Sequence, residues 1–150
     1  MAHRTVIFLD FDGVINCDEC QSFRNERLPQ ICQHNVKEFN RIVDSTKAKI
    51  VISSAWRGLI ETGHMSLNGF RCLMRSHGIS DDVLGITPAE TYPLVRADEI
   101  RAWLESNPTE RYVVLDDDCD AGHGHPFIKT DAWKGLTREQ ADKAIEMLLA

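Results

Sequence analysis

The chain has 150 residues, 43% hydrophobic and 27% charged, and its 23 acidic and 17 basic side chains give a formal net charge of -6. That length suits one domain of roughly 100–200 residues, able to bury about two thirds of its unfolded surface without staples. The balance excludes disordered, collagen-like and coiled-coil classes, and its acidity argues against nucleic-acid binding driven by bulk charge, while leaving a local basic patch open.

Residues 5–11 (TVIFLDF) form a nearly continuous apolar run ending in charge, which predicts a buried strand. Val36, Phe39, Ile42 and Val43 then recur at helical spacing, predicting a helix over about 35–45. Residues 49–53 (KIVIS) predict a second strand, ending in hydroxyls. Leu67, Phe70, Leu73 and Met74 mark a second helix, with Gly78 as its stop signal. A third strand covers 83–87 (VLGIT), closed by Pro88. Ile100, Trp103 and Leu104 mark a helix that Asn107-Pro108 ends. A fourth strand, 111–116 (RYVVLD), again ends in acid, and 127–130 (FIKT) is a weaker fifth. Thr137-Arg138-Glu139-Gln140 reads as a capping box opening a last helix through Ala141, Ala144, Ile145 and Leu148. Continuous apolar strands alternating with helices predict an α/β fold: a doubly wound, Rossmann-like, five-stranded parallel sheet in a single domain spanning 1–150.

No apolar run is long enough to span a bilayer, and no basic segment precedes an apolar one, so neither membrane insertion nor a secretory signal is expected. Five cysteines, an odd number without a framework rhythm, favour a reducing cytoplasm. Cys17, Cys20, Cys32 and His34 form C-x2-C followed by C-x-H, donor types that suit structural zinc. The second pair is unusually tight for a zinc motif, so free thiols in a loop are the preferred reading.

In open α/β sheets, ligands bind outside the carboxyl ends of the strands. Strand one delivers Asp10 and Asp12 there, strand two Ser53 and Ser54, and strand four Asp116, Asp117 and Asp118. So many carboxylates on one edge require a bound cation or raised pKa values. A hard divalent ion with oxygen ligands, Mg2+ above all, fits best.

These residues resemble the haloacid dehalogenase (HAD) superfamily. Phe8-Leu9-Asp10-Phe11-Asp12-Gly13-Val14-Ile15 matches its first motif, hhDxDGxh, and Ser54 the second motif's hydroxyl. Arg96 takes the third motif's basic place, where Lys is commoner, with Arg75 and Arg101 as weaker candidates. Val113-Val114-Leu115-Asp116-Asp117 matches the fourth motif, hhhDD. The four stand in the family's order between residues 6 and 118. Ser-Ser-x-Trp-Arg followed by Arg-x-x-Glu-Ile-x-x-Trp-Leu resembles, more loosely, the small HAD domain of Swiss-army-knife RNA repair proteins.

The resemblance implies a Mg2+-dependent phosphohydrolase. Asp10 would be the nucleophile, forming an aspartyl-phosphate, and Asp12 the general acid and base. Mg2+ would be held by Asp10, the Asp12 carbonyl and Asp116 or Asp117, and Ser54 and Arg96 would bind phosphoryl oxygens. Arg57 and Trp56 have surface and packing readings as good as phosphate contact or base stacking. For His123 and His125 a Gly-rich flexible loop is preferred over metal or substrate contact. A HAD-fold module without turnover, or a small-metabolite phosphatase capped by oligomerisation, remain as alternatives. A receiver domain would need Asp rather than Ser-Ser at the end of strand two, and no P-loop is present. The stretches 13–34 and 88–95 are too short for a cap domain. That predicts an open site for a bulky phosphorylated substrate such as a polynucleotide end.

Overall fold

The computed structural model describes residues 4–22, 31–54, 58–88 and 95–150, so Trp56 and Arg57 lie outside the described residues. Five strands, β1 (Thr5–Leu9), β2 (Lys49–Ile52), β3 (Val83–Ile86), β4 (Arg111–Asp116) and β5 (Phe127–Lys129), pair in parallel in the order β3-β2-β1-β4-β5. Every strand expected from the sequence is present; β4 has the expected bounds, and the other four end a residue or two sooner.

The helices are α1 (Asp18–Ser22), α2 (Gln33–Thr46), α3 (Gly58–Glu61), α4 (Leu67–Ser76), α5 (Arg96–Ser106) and α6 (Arg138–Leu149), with a 3-10 turn at Cys119–Gly122. Sequence patterning did not show α1, α3 or the 3-10 turn, since four or five residues carry too little periodicity. Of the four longer helices, α4 and α6 open on side-chain caps, whereas α2 and α5 do not. Thr137 and Gln140 form a reciprocal capping box on α6, and the Ser66 hydroxyl accepts from Gly69 N–H at the start of α4.

Alternate residues of the central strands face opposite sides. Ile7, Leu9, Ile50, Ile52, Val113 and Leu115 pack with Val36, Phe39 and Ile42 of α2, Phe70 and Met74 of α4, and Ala141, Ala144 and Leu148 of α6. Val6, Phe8, Val51 and Val114 pack with Ile100 and Trp103 of α5. On that side Phe8 meets Trp103 and Tyr112 edge-on, at centroid distances of 5.5 and 5.6 Å. Both faces are therefore dry, which is why the strands read as continuous apolar runs. Among the described residues there is no cap domain: the turn after β1 leads straight into α1, and no helix is long and apolar enough to cross a membrane.

The segment 131–136 is a strap behind the turn that follows β1. Fully buried Asn35 donates through Nδ2 to the carbonyls of Lys134 (3.0 Å) and Leu136 (2.9 Å). Leu136 N–H in turn reaches Val14 O at 2.8 Å. Gly135 has φ +68, and a Cβ there would sit 2.6 Å from Asn35 Oδ1. Cys17, Cys20 and Cys32 are free thiols, as expected, but they lie near one another and His34: Cys17 approaches Cys32 and His34, and Cys20 groups with Cys32 and His34. Removing Asn35 strands the buried Leu136 carbonyl and the partly buried Lys134 carbonyl, a buried lost partner costing about 1–3 kcal/mol. Asn35→Ala should therefore lower the unfolding free energy by about 2 kcal/mol, read as a lower denaturant midpoint at unchanged slope.

Candidate active site

The strand order reverses between β1 and β4, and at such a switch point two neighbouring strand ends diverge and leave a crevice. The register pairs Leu9 with Leu115, so the next residues, Asp10 and Asp116, emerge side by side. Asp10 N–H still bonds to Leu115 O at 3.1 Å, and Asp116 is the last residue of β4. Both carboxylates are buried, 7% and 3% exposed. With Asp117 they form a trio whose oxygens lie within 4.8 Å of one another.

Local hydrogen bonds hold each acid in place. Asp10 Oδ1 accepts Phe11 N–H at 2.9 Å, and the Ser54 hydroxyl donates to the Asp10 carboxylate. Asp116 Oδ1 accepts Asp118 N–H at 2.9 Å. Asp118 accepts Asp120 N–H and caps the 3-10 turn, so the ordinary turn reading of an acidic run holds for it; it lines the crevice but stands outside the trio. Gly13, at φ +82, lies so close to Asp117 that a Cβ would collide with its carboxylate. That is the physical need for glycine after the second Asp.

Asp12 stands outside the trio and is exposed. Its Oδ1 accepts Asn16 Nδ2 at 2.8 Å, while Asn16 Oδ1 accepts Gly13 N–H at 3.0 Å. Asn16, 3% exposed in an apolar turn, is a positioning residue that the sequence reading passed over. Its signal was a lone amide four residues after Asp12. Thr130 Oγ1 donates to Gly13 O at 2.6 Å and braces the same turn from β5.

The crevice is a cavity of about 340 Å3 lined by Asp10, Val95, Arg96, Glu99, Asp116, Asp117, Asp118 and Asp120. Arg96 is the one cation among these residues. It opens α5, which has no side-chain cap, so the positive helix end faces the same space. Arg96 Nε lies 3.9 Å from Glu99 Oε1, and its buried Nη1 has no hydrogen-bond partner among the described residues. An unpaired buried guanidinium N–H lining an anion-sized crevice suits a phosphoryl oxygen. Ser53 Oγ is likewise buried without a partner. The weaker candidates are engaged elsewhere, Arg75 with Asp81 and Arg101 with Asp98.

His125 corrects the flexible-loop reading. Its Nδ1 lies 2.8 Å from Tyr112 Oη and its Nε2 2.9 Å from Ala97 O. The carbonyl can only accept, so Nε2 carries the proton and Nδ1 accepts from tyrosine. His125 thereby clamps the first turn of α5, and with it Arg96, to β4. His123 is exposed.

Burial pushes Asp10 up to about 6, against the lowering pull of Arg96 and of its hydrogen bond with Asp116. Burial, then the Asp10 charge, pushes Asp116 up to about 8. Without a cation the pair therefore keeps a proton at neutral pH. Three convergent carboxylate groups that hold a proton for want of a cation are a fitting donor set for a hard metal ion.

The chain belongs to the family described as the HAD domain in Swiss Army Knife RNA repair proteins, whose model matches residues 6–141. No curated protein and no solved structure matches it significantly. Membership places the chain in a hydrolase-type family.

Raised carboxylate pKa values add stability below the ordinary carboxylate range and lose it as pH rises through about 6 and 8. Metal-free protein should accordingly melt lower at about pH 9 than at about pH 5, each about a unit outside that window, and Asp116→Asn should flatten the difference in a thermal-shift series. Gly13→Ala should displace Asp117 and weaken divalent-cation binding by about tenfold or more in calorimetry, with the sheet intact by circular dichroism.

Proposed function

We propose that this chain is a Mg2+-dependent phosphomonoesterase that passes the phosphoryl group through an aspartyl-phosphate on Asp10. The observation that carries the reading is the crevice itself. A buried, hydrogen-bonded Asp10 lies there close to the Asp116 and Asp117 carboxylates, with an unpaired guanidinium N–H of Arg96 on the same wall. Asp10 attacks phosphorus, the ester oxygen leaves as an alcohol, and exposed Asp12 donates the proton it needs. Water then attacks the acyl phosphate, Asp12 takes its proton, and inorganic phosphate leaves with Asp10 regenerated. Asn16 holds Asp12 toward solvent and the departing group. Arg96 and the Ser54 hydroxyl bind phosphoryl oxygens, Ser54 turning from the Asp10 carboxylate to do so. Mg2+, held by Asp10, Asp116, Asp117 and the Asp12 carbonyl, would supply positive charge against the phosphoryl oxygens.

The substrate we assign is bulky, namely the phosphorylated end of a nucleic acid. With no cap domain among the described residues, the substrate or a partner must exclude water from the crevice. The family's description as an RNA-repair domain supports a polynucleotide end. The net charge of -6 favours contacts limited to a terminus. Five free cysteines suit a reducing compartment such as the cytoplasm.

Asp10→Asn should reduce turnover by about 10⁴-fold or more while the fold persists. Wild-type activity should vanish with a chelator and return with Mg2+. On a panel of 3′- and 5′-phosphorylated oligonucleotides, phosphopeptides and sugar phosphates, kcat/KM should be highest on an oligonucleotide. A clear preference for a small sugar phosphate would overturn the substrate assignment, and unimpaired turnover by Asp10→Asn the mechanism.

A further inference from the structure

Away from the crevice, three thiols and one imidazole converge. Cys17 Sγ lies 3.6 Å from Cys32 Sγ and 3.8 Å from His34 Nε2. Donor atoms of Cys20, Cys32 and His34 lie within 4.8 Å of one another. Cys17 and Cys20 are linked by the Cys20 N–H, which donates to the Cys17 sulfur. The Cys17 N–H likewise donates to the sulfur of Cys32. Zinc with Zn–S of about 2.3 Å and Zn–N of about 2.0–2.1 Å gives tetrahedral edges of about 3.8 Å between sulfurs and about 3.6 Å between sulfur and nitrogen. The two measured edges match that scale. A disulfide would need its sulfurs at about 2.05 Å, and all five cysteines are free.

The geometry points to a structural zinc site formed by Cys17, Cys20, Cys32 and His34, separate from the carboxylate trio. Soft thiolates and imidazole select zinc where the carboxylates select a hard ion. The tight C-x-H spacing that disfavoured zinc in the sequence is accommodated at the start of α2. Cys32 is the N-cap residue there, with a side chain that makes no capping bond. His34 is exposed, which leaves an entry path, while Cys17 and Cys32 are buried. Bound zinc would tie α1 to α2. Cys32 N–H also reaches Ile15 O at 2.9 Å, so the tie extends to the turn that carries Asp12 and Gly13.

The test uses full-length protein purified under reducing conditions. Elemental analysis should find about one zinc per chain, and Co2+ exchanged into the apoprotein should show tetrahedral d–d bands with thiolate charge transfer. Cys20→Ser and His34→Ala should each reduce retained zinc by about tenfold or more after dialysis against a weak chelator. His34 is exposed, so its variant probes the metal without disturbing the core. Cys72→Ser and Cys119→Ser should keep the zinc, as should Asp116→Asn, which separates this site from the proposed phosphatase centre. The melting temperature should fall when zinc is stripped. A reduced, folded apoprotein that takes up neither Zn2+ nor Co2+ would overturn the proposal, and so would His34→Ala with unchanged metal content and Co2+ spectrum. A Cys17–Cys32 disulfide in the freshly purified protein would overturn it equally.

Discussion

Parallel pairing of β1 with β4, with Leu9 opposite Leu115, forces Asp10 and Asp116 out of the sheet as neighbours. Their oxygens lie within 4.8 Å of each other and of Asp117, in a place water barely reaches. Two unit charges at that separation repel by about 3–4 kcal/mol at an effective dielectric constant of about 20, before any desolvation. The sheet cannot relieve this, because slipping the register by one residue would exchange the strand's side chains between two differently packed apolar layers. The molecule must instead carry a proton or a cation there. Much of the surrounding architecture holds the crowded acids in position: Phe11 N–H on Asp10, Asp118 N–H on Asp116, and the bare Gly13 that gives Asp117 its room.

Behind the crevice, rigidity comes from a few buried polar contacts. Asn35 fixes the 131–136 strap, the strap holds Val14 O, and Thr130 holds Gly13 O, so α2 and β5 together immobilise the turn after β1. On the other flank His125 bridges Tyr112 and the Ala97 carbonyl, which sets the start of α5 and the base of Arg96. The crevice is thus strongly anionic with one cation on its wall. Such a field repels a free phosphate ester until a metal ion offsets it. On the proposed phosphatase reading, that electrostatic balance would couple cation and substrate binding.

The carboxylate trio and the thiol cluster bracket one short stretch of chain. Asp10 lies at its beginning and Cys17 at its end, and between them stand Asp12, Gly13 and Asn16. Hard oxygen donors and soft sulfur and nitrogen donors sort different metals, so the two centres need not compete for one ion. The thiol cluster joins the end of that stretch to the start of α2, and zinc held there would tie α1 to α2.

Strand identity, strand order of delivery and the acidic edge were legible in the sequence because they depend on local pattern. A dry strand between two helical layers must be continuously apolar, and Asp10, Ser54 and Asp116 stand out as the polar residues that end such runs. DxDG was legible for the same reason, since a positive φ beside a carboxylate excludes any side chain. Tertiary structure alone decided what depends on distance between remote segments. Asn35 reaches Leu136 across 101 residues, and His125 meets Ala97 across 28, contacts that no periodicity encodes. Asp118 separated from Asp116 and Asp117 only when the chain turned, because one hydrogen bond to Asp120 N–H decides which acid becomes a cap. The thiols and His34 appeared as two mismatched pairs in one dimension. Their meeting depends on α1 and the start of α2 being brought together, since a metal-sized cluster is a property of positions in space and not of intervals along the chain.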